Sequence, residues 1–219
     1  MSRGITRPSP ASSHVSSSCM TNRQIFLVSL TALAATAASI LWLDSPAAHL
    51  VTKSYGSQGV TIVKHELPDH LLPSVILFTL CALAGYWLSV KRGWKSVTRL
   101  LGAIRLSMPL SYAIKDVLQS ILRRQCARSW IVEPAVPQWF GTGDNFSGSP
   151  PGHMTVATCL VFALCREYPR YRWAWIAALM ELGATLIGND YHFVGDVTAG
   201  AYVGWTSQVT QPMPRQRHW

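Results

Sequence analysis

The strongest constraint on this chain is a series of long apolar runs separated by short polar segments that carry arginine. The runs lie at Ile25 to Leu43, Leu71 to Val90, Leu100 to Leu122, His153 to Cys165, Tyr171 to Gly188 and Phe193 to Val209. Crossing the hydrocarbon core of a bilayer takes about 20 mostly apolar residues. In lipid every backbone polar group must be satisfied within its own segment, which selects helices. The pattern predicts an all-α membrane protein, a bundle of about six transmembrane helices. Only 13% of residues are charged, and nine are Trp. Trp42, Trp87, Trp94, Trp130, Trp173 and Trp175 cluster near the ends of the runs, where an amphipathic ring suits the headgroup layer.

The first run could also be read as a signal peptide, since Arg23 precedes it and Pro46, Ala47 and Ala48 follow. Its apolar stretch exceeds the roughly 7–15 residues of a signal core, so a retained helix is the expectation. Residues 1–24 are rich in Ser, Pro and Arg, with few apolar side chains to offset the entropy of ordering them. They are expected to form a disordered cytoplasmic tail, residues 25–210 one membrane domain, and residues 211–219 a short cytoplasmic tail. Met20 offers an alternative start.

The formal charge of +9 invites a nucleic-acid reading, but the basic residues sit between apolar runs and not on one exposed face. Basic residues before the first run (Arg3, Arg7, Arg23), after the second (Lys91, Arg92, Lys95, Arg99), after the fourth (Arg166, Arg170, Arg172) and after the sixth (Arg215, Arg217) mark one side as cytoplasmic. The acids Asp44, Glu66, Asp69, Glu133, Asp144 and Asp190 fall on the other side. Arg123, Arg124 and Arg128 break the rule by lying there too, which suggests a task other than topology. None of the five cysteines forms a CxxC pair, so neither zinc nor a disulfide framework is inferred.

Reactive residue types concentrate at three places on the outer side. Lys115 stands near the outer end of the third run, followed by Arg123 and Arg124. A charge inside an apolar run usually faces a cavity and serves a function, although snorkelling to the interface is the competing reading. The segment Gly141 to His153 is a Gly- and Ser-rich loop that enters the fourth run. Such an entry offers free N–H groups and the positive end of a helix dipole to an oxyanion. His192 and Asp196, four apart at the turn into the last run, are neighbours on one helical face. A carboxylate so placed can hold one imidazole nitrogen protonated and leave the other free to attack. Gly200 and Gly204 form a small face suited to close helix packing.

With these residues in view, GSPPGH (148–153) resembles the (P)SGH motif of the type 2 phosphatidic acid phosphatase superfamily, and HFVGD (192–196) resembles part of that family's third motif. The placement is similar as well: the family carries six helices, with motifs at the end of the third, at the entry of the fourth, and between the fifth and sixth. The resemblance implies that His192 is a nucleophile forming a phosphohistidine, that Asp196 orients it, and that His153 protonates the leaving oxygen. It implies that Lys115, Arg123, Arg124, Ser149 and Gly152 bind the phosphate, and that no metal and no cofactor are required.

Each of the three motifs departs from the family pattern. Leu122 stands at the first-motif arginine offset, with Arg123 one place later and no Pro following. Pro151 replaces a Ser, and Leu186 replaces an Arg, with Thr185 where a Ser is expected. The leading expectation is a membrane phosphatase that hydrolyses a lipid phosphate or pyrophosphate monoester at the non-cytoplasmic face. The alternative is a lipid phosphotransferase similar to sphingomyelin synthase or inositol phosphorylceramide synthase. Both imply a membrane lipid substrate within the bilayer and no nucleic acid; the oligomeric state is left open.

Overall fold

The computed structural model describes residues 21–51, 53, 71–132, 139–142, 146, 148–188 and 192–210. Both tails (1–20 and 211–219) and the outer acids Glu66, Asp69, Glu133, Asp144 and Asp190 lie outside the described residues.

The described chain is all-helical, with six long helices. Helix α1 starts at Asn22, runs as α-helix to Ala38, makes one π turn at Ser39–Leu43, and continues to Val51. The start falls inside the stretch expected to be a tail, because Thr21 and Gln24 form a reciprocal cap: Gln24 N–H donates to Thr21 Oγ1 (3.3 Å), and Thr21 N–H donates to Gln24 Oε1 (2.9 Å). Helix α2 spans Leu71–Arg92, α3 Lys95–Leu122, α4 the short Ala127–Val132, α5 Gly152–Glu167, α6 Arg172–Gly188 and α7 Val194–Val209. The small helix α4 has no counterpart among the expected spans.

Helices α1 and α2 are long and apolar enough to cross a membrane, by length and composition. Helices α5, α6 and α7 have 16, 17 and 16 residues, about 24–26 Å at 1.5 Å per residue.

Helices α3, α5 and α7 pack on one another at the centre, with α2 against α3, α1 against α7 and α6 against α5. The contact of α7 with α5 depends on Gly204, where an added Cβ would collide with the Thr155 carbonyl, and on Gly200, which lies against Pro151. One apolar cluster joins Ala82, Ile104, Met108 and Ala163 across α2, α3 and α5, and another joins Met154, Leu186 and Val197 across α5, α6 and α7. The outer helices turn large apolar side chains outward, among them Phe26, Leu30, Trp42, Leu77, Trp87, Trp173 and Met180. Large apolar side chains exposed in this number suit contact with lipid or protein.

Helix directions alternate as the loop charges predict. At one end of the bundle Arg99 Nε donates to Glu167 Oε2 at 3.0 Å, and Thr98 Oγ1 donates to Ser89 Oγ at 2.9 Å. At the other end the later part of α1, the end of α3, the start of α5 and the start of α7 come together.

Candidate active site

Helix α5 begins after Pro151, whose backbone is extended (φ −72°, ψ 126°) and whose side chain supplies no cap. Its first turn therefore presents backbone N–H groups and the positive end of the helix dipole. The Lys115 side chain, 6% exposed, reaches this turn from α3. A Cβ added to Gly152 would lie 3.4 Å from Lys115 Cε and 3.7 Å from Nζ, ordinary contact distances that put the ammonium beside the helix start, while the same Cβ would collide with Leu71 Cδ2 at 2.3 Å. The same Nζ is 5.1 Å from the centre of the Tyr112 ring and 3.9 Å from Asp116 Oδ1, whose own side chain is exposed. Lys115 thus turns into the bundle and not outward. Ser149 is buried beside this turn, and His153 is exposed on it.

His192 stands just before α7. Its Nδ1 lies 2.8 Å from the Gly148 carbonyl oxygen. A carbonyl only accepts, so Nδ1 carries the proton, and Nε2 is left with its lone pair. Burial drives the His192 pKa down from 6.5 to about 4; the Gly148 hydrogen bond opposes this, while the positive charges of His153 and Lys115 add to it. The imidazole is therefore neutral at physiological pH, and both His153 and Lys115 are close enough to act on it electrostatically. Gly148 is itself fixed, its N–H donating to the Arg124 carbonyl at 2.9 Å.

Two sequence expectations meet a different geometry. Asp196, fully buried in the first turn of α7, accepts Arg124 Nη1 on Oδ1 (2.6 Å) and the Phe193 N–H on Oδ2 (3.1 Å). The partner found on His192 Nδ1 is the Gly148 carbonyl, where the four-residue spacing points to Asp196. The reason is directional: the Asp196 carboxylate faces the bundle interior, where an arginine draws both species into one ion pair. Arg124, fully buried, donates its second arm, Nη2, to Asp44 Oδ2 at 2.5 Å. Its guanidinium lies 4.8 Å from the Trp139 ring centre and 4.6 Å from that of Phe193. So enclosed, Arg124 is an internal bridge and not an open phosphate ligand. Arg123 takes the left-handed conformation (φ 41°) that ends α3, and its side chain is exposed.

Asp44 and Gly148 are the participants that spacing did not single out. Asp44 carried a usable signal, an acid directly after a long apolar run, where an intramembrane charge is a functional hint by default. Gly148 acts through its backbone, which a residue pattern does not display.

Histidines on two helix entries, a buried lysine beside a helix N-terminus and a buried acid four residues after one histidine thus lie at one end of the bundle. Residues 96–210, more than half of the chain, match the PAP2 superfamily. The chain belongs to that superfamily. Among characterised proteins it is 39% identical to the lipid A 1-phosphatase of Rhizobium etli over 66 residues, 30% of this chain and 28% of that protein. It is 38% identical to the lipid A 1-phosphatase of Rhizobium johnstonii over 72 residues, 32% of this chain and 30% of that one. The matched stretches thus span less than a third of these relatives' own length. No solved structure matches the chain.

Proposed function

We propose that this protein is a multi-pass membrane phosphatase whose single domain, about residues 25–210, removes phosphate from a lipid phosphate or pyrophosphate monoester at the non-cytoplasmic face, through a phosphohistidine. The observation that carries this reading is the gathering of Lys115, His153 and the start of α5 around a neutral His192 with a free Nε2.

In the first half-reaction His192 Nε2 attacks phosphorus, the bond from phosphorus to the lipid oxygen breaks, and His153 gives that oxygen a proton. Donation matters because an alkoxide leaves poorly at neutral pH. In the second, His153 takes a proton from water, the resulting hydroxide oxygen bonds to phosphorus, and His192 is released. Lys115 and the N–H groups around Ser149 and Gly152 neutralise the phosphoryl oxygens, the main electrostatic demand of this chemistry. Arg123, exposed at the rim, is placed to meet an incoming anion. Asp196 acts from behind, fixing the first turn of α7.

Lipid is favoured over a soluble substrate because the site lies at the ends of helices whose outward faces are apolar. The likeness to lipid A 1-phosphatases favours hydrolysis of a phosphate carried on a membrane lipid. Loop charges favour six spans with the site on the non-cytoplasmic side, opposite the basic loops.

One observation keeps headgroup transfer as the second reading. With Leu186 buried at the third-motif arginine position and Arg124 enclosed by carboxylates, the site offers fewer cations than a monoester dianion calls for. Purified protein incubated with a panel of lipid phosphates is expected to release inorganic phosphate. Headgroup transfer between lipids without phosphate release would replace hydrolysis with transfer.

A further inference from the structure

Asp44 lies outside the segment matched by the family, yet it is built into the site from a separate helix. Its carboxylate receives Arg124 Nη2 on Oδ2 and the Gly195 N–H on Oδ1 at 2.8 Å, and it is 1% exposed. Building on the phosphatase reading above, we propose that Asp44 is a positioning residue for phosphoryl transfer. Through Arg124 and Gly195 it holds the first turn of α7, and with it Asp196 and His192, in register with the rest of the site.

The local structure of α1 is arranged for this contact. The buried residues of its second half are Ser39, Asp44, Ala48 and Val51, at steps of five, four and three. In a regular α-helix a residue five places on lies about 140° around the axis. The π turn at Ser39–Leu43 takes up the extra residue and returns Asp44 to the buried face. Such turns recur at functional sites. The fit against α7 is close: a Cβ on Gly195 would meet Ile40 Cγ1 at 2.5 Å and Asp44 Oδ2 at 3.0 Å.

The charge balance gives Asp44 a second effect. Asp44 and Asp196 share one guanidinium, so the ionised cluster carries one net negative charge. Asp44 and His192 line the same small pocket, together with Ala47, Ala48, Ala127, Ile187, Phe193 and Val194. A phosphorylated imidazole that keeps its Nδ1 proton gains positive charge, which this cluster offsets. The other charged groups facing His192 are Lys115 from α3 and His153 from α5, and both oppose that charge.

The test is Asp44→Asn, which keeps shape and removes charge, measured as kcat, KM and a pH profile on a lipid phosphate that the wild type hydrolyses in a His192-dependent way. The expected result is a fall in kcat of about 10- to 100-fold, as when a supporting partner of a reactive group is lost, with little change in KM. The acid limb of the profile is expected to move to lower pH, because imidazolium at His192 loses a nearby negative charge. Wild-type kinetics, or a profile scaled down uniformly without displacement, overturns the proposal. A wild type without His192-dependent turnover defeats the phosphatase reading itself, and this assignment with it. Should Asp44→Asn not accumulate as a monodisperse protein, Gly195→Ala disturbs the same contact while leaving every charge in place. The same loss of kcat is then expected, and wild-type kinetics there overturns the proposal equally.

Discussion

His192 donates its Nδ1 proton to the Gly148 carbonyl at 2.8 Å, and this one bond decides which nitrogen of the ring is free to react. Since Gly148 is in turn held by the Arg124 carbonyl, the nucleophile's orientation is set by backbone. A fixed tautomer costs no reorganisation at the moment of attack.

The first prediction concerns the two histidines. His192→Ala is expected to abolish turnover, and His153→Ala to lower it by about 100- to 10,000-fold, the usual range for a lost proton donor. Both proteins should remain folded, as His153 is exposed and the His192 side chain makes one described hydrogen bond, its backbone bond to Leu186 being kept in the variant. Phosphate release and a trapped phosphoenzyme measure this; full activity in His192→Ala rules out the mechanism.

The pH dependence follows from the neutral state of His192. Its folded pKa is pushed down from 6.5 to about 4, chiefly by burial. Between those two values the unfolded chain binds the extra proton and the folded one does not. The contribution to stability is thus fully present above pH 6.5 and is lost as pH falls toward 4. The acid limb of kcat/KM due to this group is likewise expected near pH 4, and a limb at 6.5 would contradict the part-buried, neutral ring.

Lys115 and Gly152 test the phosphate cradle. Lys115→Met keeps length and removes charge, and is expected to lower kcat/KM by about 100-fold or more while weakening inhibition by vanadate. Gly152→Ala places a methyl group against the Leu71 side chain and beside the Lys115 stem, and should reproduce part of that loss. Unchanged vanadate inhibition in both variants would assign Lys115 to packing.

The adjacent arginines should separate cleanly. Arg124→Gln strands two buried carboxylates, a loss on the order of 3–5 kcal/mol, read as a lower melting temperature in detergent. Arg123→Gln changes an exposed side chain and should leave the melting temperature unchanged while raising KM for an anionic lipid. If the two variants lose stability alike, the enclosed position of Arg124 is wrong.

Much of this architecture is legible without coordinates. Apolar run length and the side on which arginines fall are local properties, so six helices and their alternation follow directly from the order of residues. Chain direction alone also places Lys115, in the last two turns of α3, and His153 and His192, at the entries of α5 and α7, at the same end of the bundle. Helix starts are less legible: the cap at Thr21 extends α1 into apparent tail.

What only the tertiary structure decided is how the buried charges pair. Asp44 and Arg124 are 80 residues apart and Arg124 and Asp196 are 72 apart, and the π turn that aims Asp44 inward leaves no mark in hydropathy. From spacing, Asp196 belongs to His192, and by the family resemblance Arg124 belongs to the phosphate. In the fold the two belong to each other, because a buried carboxylate and a buried guanidinium are each far more costly alone than together, and the backbone carbonyl of Gly148 takes the place beside the imidazole.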